Sequence, residues 1–269
     1  MNRIAWLPGL IVSAVLAATA CGGPDDGNLG GEIRGTEESA HDLGLSTSAL
    51  AKMETPDPQG AVSATIAAPD SHGCRTRVKD PLLPNVVHVF LDNCTGRFGR
   101  HTVSGEVVIT FSKKESGSLH AEHRSVGLTI DGRAATTTAS ADITFDSDLR
   151  HVGWHGEKVT TSEKGEQVNR VAEHTIEVNR TTGCSVFNGT AKVTRGDRVI
   201  DAVLTEMTSC EGTDGSRYCP TGLIEATVEG RNVEITKTFD GTATAVIEVT
   251  RRKGSKTREV LLDCVPLGS

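Results

Sequence analysis

Aromatic side chains are scarce in this chain: six Phe, two Trp and one Tyr among 269 residues, or 3%. Sugar-binding platforms and the girdles of membrane barrels are built from many aromatics, so this composition argues against a lectin and against an outer-membrane pore. Also missing are a GxSxG elbow, an HExxH pair, a P-loop and a GxGxxG turn, which removes the common signatures of hydrolases, zinc proteases and nucleotide enzymes. None of the seven cysteines forms a CxxC pair, so a thiolate metal site has no support. No basic stripe interrupts the sequence, which excludes nucleic acid as a partner. The chain shows no internal repeat. No catalytic residue, metal ligand or cofactor is assigned, and the reading is of a protein that is not an enzyme.

The first residues are better defined. "MNRIAWLPGLIVSAVLAATAC" has one base, Arg3, then an apolar run from Ile4 to Leu16, then small residues up to Cys21. That run is too short for a comfortable transmembrane helix and ends as a secretory signal peptide ends. Ala18-Thr19-Ala20-Cys21 resembles the lipobox of bacterial lipoproteins, with Ala18 where that motif usually has leucine. The resemblance implies cleavage after Ala20 and a lipid on Cys21, the chain's partner being a membrane reached through that lipid. Gly22, standing where inner-membrane retention usually has aspartate, points to the outer membrane. A plain signal peptide that leaves Cys21 free is the alternative.

Removal of residues 1–20 takes away one base and no acid, so 27 Lys and Arg stand against 35 Asp and Glu, a net charge of −8. The imbalance is concentrated. Residues 22–60 hold eight acids (Asp25, Asp26, Glu32, Glu37, Glu38, Asp42, Glu54 and Asp57) against Arg34 and Lys52, and are rich in Gly and Pro. Such a segment reads as a solvated tether whose ends lie roughly 35 Å apart as a flexible coil. A short helix is expected at 43–53, with Leu43, Leu50 and Met53 on one side. The domain organisation is then 1–20 signal peptide, 21–60 lipidated acidic tether, and 61–269 disulfide-bonded β domain.

From Ala61 onward the hydrophobic pattern has period two. "AVSATIAA" puts Val62, Ala64 and Ile66 on one face of an expected strand. Residues 223–264 read as four strands with turns at Gly230-Arg231, Asp240-Gly241 and Gly254-Ser255. Further strands are expected within 85–93, 104–112, 125–132, 133–146, 173–180, 185–197 and 198–209. With no helix expected after residue 60, neighbouring strands must pair antiparallel. The fold class is all-β: a large antiparallel meander, strongly curved, a partial barrel or sandwich.

Cys74, Cys94, Cys184, Cys210, Cys219 and Cys264 form an even set in an exported chain and read as disulfides. Cys184 and Cys210 lie almost opposite across the turn Gly196-Asp197. Their numbers sum to 394, where residues paired across that turn sum to 393. Cys74 and Cys94 are symmetric about Pro84. Elimination leaves Cys219 with Cys264, yet a flat meander would hold these about 14 Å apart, and a bridge needs Cα atoms within ~7 Å. Either the sheet curls strongly, or Cys210 joins Cys219 and Cys184 meets Cys264.

Histidines are the remaining candidates. In "RHVGWHG", His151 and His155 share one face of a strand and Trp154 the other, leaving both histidines in water; His120 and His123 face opposite sides. His174 shares parity with Val168, Ala172, Ile176 and Val178 on an apolar face, and reads as a core histidine with its hydrogen bonds met. Arg195-Gly196-Asp197 is turn chemistry, and the five bases of "TRRKGSKTR" form a solvated hairpin tip. The functional expectation is an envelope lipoprotein acting as a non-catalytic binding or structural module, with an envelope protein or apolar small molecule as partner. Two rivals stand beside it. One is a carrier of a lipid-like ligand in a groove lined by Val168, Ala172, His174, Ile176 and Val178. The other is a hydrolase whose groups meet around His174 only in three dimensions.

Overall fold

The computed structural model describes residues 47–68, 70, 73–95, 102–162, 165–210, 216, 218–262 and 264–266. Two short helices, α1 (Thr47–Lys52) and α2 (Pro58–Ile66), precede thirteen strands. These are β1 (Arg75–Lys79), β2 (Val86–Thr95), β3 (Thr102–Lys113), β4 (Leu119–Ile130), β5 (Arg133–Asp146), β6 (Leu149–Thr161) and β7 (Gln167–Asn179). They continue with β8 (Cys184–Arg195), β9 (Arg198–Cys210), β10 (Thr221–Val228), β11 (Val233–Asp240), β12 (Thr244–Arg251) and β13 (Gly254–Leu261). All thirteen form one sheet in chain order, every neighbour antiparallel, with β1 and β13 as its two edges. The sheet is therefore an open meander, as the alternating pattern and absent crossovers require.

One expected strand is a helix. "AVSATIAA" lies mostly in α2, where Ala61, Val62 and Thr65 are buried. That spacing is helical, and the alternation of Val62, Ala64 and Ile66 is incidental to it. The helix is started by Asp57, whose side chain accepts from the Gly60 amide, and by Pro58 in the first turn. Both residues lie in the segment read as tether. A second difference is the last turn, which falls at Arg252-Lys253 because Arg251 pairs with Gly254.

Among the described residues, the inner face of the sheet has almost nothing but itself for cover. Helices of six and nine residues cannot roof thirteen strands, yet Ile109, Leu119, Ile143, Val178, Ile224 and Ala245 are fully excluded from water. The sheet must coil so that one part of its inner face packs on another. A row of short side chains runs across six strands at mid-height: Ala139, Gly156, Ala172, Ala191, Ala202 and Ala226 pair in succession from β5 to β10. Short side chains thin the inner layer below the usual ~10 Å between packed sheets, which lets the sheet bend inward there.

The helices fill the remaining gap. Ala49, Leu50, Ala51, Met53, Ala61 and Val62 are buried, and most join the main core. The segment expected as a short helix at 43–53 is helical over Thr47–Lys52, and its residues 49–51 and 53 are docked in the core; Leu43 lies outside the described residues. Its latch is Arg150 of β6, 1% exposed. The Arg150 guanidinium donates from Nε (3.1 Å) and Nη2 (2.6 Å) to the Met53 carbonyl, and from Nη1 to the carbonyls of Ser147 and Leu149. Its plane lies 4.6 Å from the Phe145 ring centre. A buried cation is tolerated here because every contact is with an acceptor oxygen or a π face. Outside the core, Arg180 pairs with Glu54 at 2.6 Å.

The disulfides are Cys74–Cys94, Cys184–Cys210 and Cys219–Cys264. The one-residue offset of Cys184 and Cys210 has a cause: a bulge at Thr205-Glu206 of β9, opposite Asn188 of β8, shifts the register of the hairpin. The separation expected for Cys219 and Cys264 is bridged because both lie beyond the ends of β10 and β13. There Tyr218 pairs with Val265, and the Cys219 amide bonds the Val265 carbonyl at 2.8 Å. The tail crosses the strand ends, and the Cα atoms come to 4.9 Å.

Two outcomes test these contacts. Closure of the chain between Cys184 and Cys210, 26 residues apart, contributes about 3 kcal/mol through the unfolded state. Urea unfolding of Cys184→Ser with Cys210→Ser should show a loss of that size, with Cys219–Cys264 intact by non-reducing peptide mapping. Arg150→Met should lower the protection of residues 47–53 in hydrogen exchange by about 2 kcal/mol of local opening energy and leave β8 to β11 unchanged.

Candidate functional site

The sequence-derived candidates meet on β7. Val168, Ala172, His174, Ile176 and Val178 all face inward; Val168 is half-buried and the other four are buried. They are packed into the core rather than lining a solvent-filled trough. The same face carries Arg170, also buried, a parity visible in the sequence that the apolar reading passed over.

His174 sits beside Trp154 of β6, its direct cross-strand partner, with the rings stacked at 5.0 Å and 18°. On its other side it pairs with Gly189 of β8. A Cβ at Gly189 would stand 2.5 Å from His174 Nδ1 and 2.2 Å from the Glu173 carbonyl oxygen. At Gly156, two residues along from Trp154, a Cβ would meet the indole at 2.3 Å. Both glycines are bare so that two flat rings can lie on the sheet.

His174 is 3% exposed, and neither ring nitrogen makes a hydrogen bond. The expected core location holds, but stacking takes the place of the expected hydrogen bonds. Burial, then repulsion from Arg170, pushes its pKa down to about 4. The imidazole is neutral at physiological pH and has no acid to orient it or hydroxyl to activate. That geometry does not supply a catalytic triad.

Of the other described histidines, His88, His120, His151 and His155 face outward. His151 and His155 are about half exposed, and Trp154 between them is buried. His120 bonds Asp142 at 2.7 Å on the outer face, while His123 is buried on the inner one. His88, which belongs to no sequence motif, is clamped by Glu106 at 2.5 Å and Asp80 at 2.9 Å. Those carboxylates raise its pKa, and its hydrogen bond lowers that of Asp80. The clamp ties the β1–β2 turn to β3.

A larger pattern appears when charge is sorted by face. Setting aside Asp92 and Glu206 at bulges, every acid in the described strands points outward, from Glu106 on β3 to Glu259 on β13. Strand bases point inward, with Arg124 and Lys192 as the outward exceptions. The inward set includes Arg150, Arg170 and Lys237, all buried, with the Lys237 ammonium 4.6 Å above the Phe239 ring. An outer wall of acids is incompatible with a lipid-facing barrel surface. Among the described residues no helix is long and apolar enough to cross a membrane. Searches of family models, curated proteins and solved structures found no match to this chain.

The His174 environment has a pH signature. Between pH 6.5 and 4 the unfolded chain binds a proton that the native state refuses. The contribution of His174 to stability is full above pH 6.5 and falls as pH is lowered, by about 3 kcal/mol at pH 4. His88, with its pKa raised, acts in the opposite sense, its contribution being lost as pH rises. His174→Phe should therefore flatten the acid-side loss in urea-derived stability relative to wild type. An unchanged slope would mean that the ring is protonated in the fold.

Proposed function

We propose that this chain is an exported lipoprotein of the bacterial envelope, held to the outer membrane by lipid on Cys21. Its β domain is a non-catalytic binding or structural module. The observation that carries the reading is the set of three disulfides within one domain, which indicates an oxidising, exported environment. Cys21 at the end of a signal-like apolar run supplies the anchor, since several acyl chains at about 0.8 kcal/mol per CH2 hold where one does not. The carrier reading has less support, because the residues named for its groove are packed core. A hydrolase centred on His174 has less still, because neither ring nitrogen has a hydrogen-bond partner among the described residues.

Cys21→Ser should move the protein from the membrane pellet to the soluble exported fraction after a high-salt wash, with the melting temperature of the β domain unchanged. A variant that stays in the washed pellet, or a wild type found in solution, would overturn the anchor.

A further inference from the structure

The inward bases are gathered at one end. Call the end that carries Met53 and the Cys184–Cys210 and Cys219–Cys264 bridges proximal. The opposite, distal end carries the turns Asp131-Gly132, Gly196-Asp197, Gly230-Arg231 and Arg252-Lys253. Near that end, successive strands contribute Arg133 (β5), Lys158 (β6), Arg170 (β7), Arg195 (β8), Arg198 (β9) and Arg251 (β12) to the inner side. Arg231, Arg252, Lys253 and Lys256 extend this rim as exposed side chains. Of the acids there, Glu166 is bonded to Arg195 at 2.6 Å, Asp131, Asp197 and Glu229 sit in turns, and Glu157, Asp201 and Glu234 lie on the outer face.

We propose that this distal rim docks end-on against an anionic lipid surface. Three observations favour lipid head groups over other anions. The rim spans the ends of many strands, which suits a flat, extended charge rather than a compact one. No aromatic side chain lies among the described distal residues of β5 to β13, so the stacking platforms that hold nucleic-acid bases are missing. The outward acids would repel an anionic surface from every side of the sheet, leaving the distal end as the approach that electrostatics allows. Cys21 can reach the same bilayer: the 26 steps to Thr47 span at most about 90 Å, about twice the ~44 Å length of a 13-residue strand. The proposal does not depend on lipidation of Cys21.

The test uses the full mature chain with Cys21→Ser, so that no anchor contributes. Co-sedimentation is measured with vesicles of equal parts phosphatidylglycerol and phosphatidylcholine, and with phosphatidylcholine alone. Binding should require phosphatidylglycerol and weaken steeply with added salt. Each base near the surface is worth roughly fivefold in partitioning, so Arg252→Ser, Lys253→Ser and Lys256→Ser together should cost on the order of a hundredfold. Arg124→Ser with Lys192→Ser, on the outer face, should cost nothing, and an unchanged melting temperature should accompany both. Should the triple variant fail to fold, Arg231→Ser with Arg252→Ser, both in exposed turns, replaces it, with an expected loss of about twenty-five-fold. The proposal is overturned by binding that ignores phosphatidylglycerol, or by equal loss in the rim and outer-face variants. It is equally overturned if the protein binds duplex DNA or soluble polyphosphate and not vesicles.

Discussion

A single sheet must hide one of its own faces from water, and everything else in this molecule accommodates that requirement. Most large sheets are covered by helices or by a second sheet. Here two short helices are the only other elements described, so coiling of the sheet is the main means of burial. The cross-strand row of Ala and Gly makes the bend sterically feasible. The glycines at 156 and 189 go further, leaving room for Trp154 and His174 to lie flat. These small residues look unremarkable one at a time. Paired across six strands they set the curvature.

Charge obeys the same geometry. In a sheet with a solvated outer wall and a packed inner one, acids are cheapest outside, where water solvates them fully. Bases can also face inward, because long Lys and Arg stems lie along apolar surface while the head finds a carbonyl, a ring or the open end. Arg150 shows the first outcome, closing α1 over the core through the Met53 carbonyl. Lys237 over Phe239 shows the second. The distal bases reach the end of the sheet. One rule of side-chain shape thus yields a latch at one end and a positive rim at the other.

The neutral His174 belongs to this economy of space. An imidazole stacked on indole with an arginine nearby is a flat aromatic filler at neutral pH, and its chemistry is suppressed by the environment that makes it fit. The tempting functional residue in the sequence is in structural terms a slab. The bases assigned to the proposed rim, such as Arg198 and Arg231, carry no motif.

What the sequence alone determined was whatever depends on local pattern. Strand alternation gave the all-β meander, since period two needs only neighbouring residues. Hairpin symmetry gave two disulfides to within the one-residue bulge, and parity alone separated Trp154 from His151 and His155. Tertiary structure decided what depends on distant parts of the chain. Whether "AVSATIAA" is strand or helix was settled by Asp57 and Pro58 and by the core that Val62 enters. Cys219 met Cys264 because the tail crosses the strand ends, and Met53 docked because Arg150, 97 residues later, reaches its carbonyl. The distal rim is the clearest case. Apart from the cluster Arg251, Arg252, Lys253 and Lys256, its bases are scattered along the chain, and only the register of the strands brings them to one end.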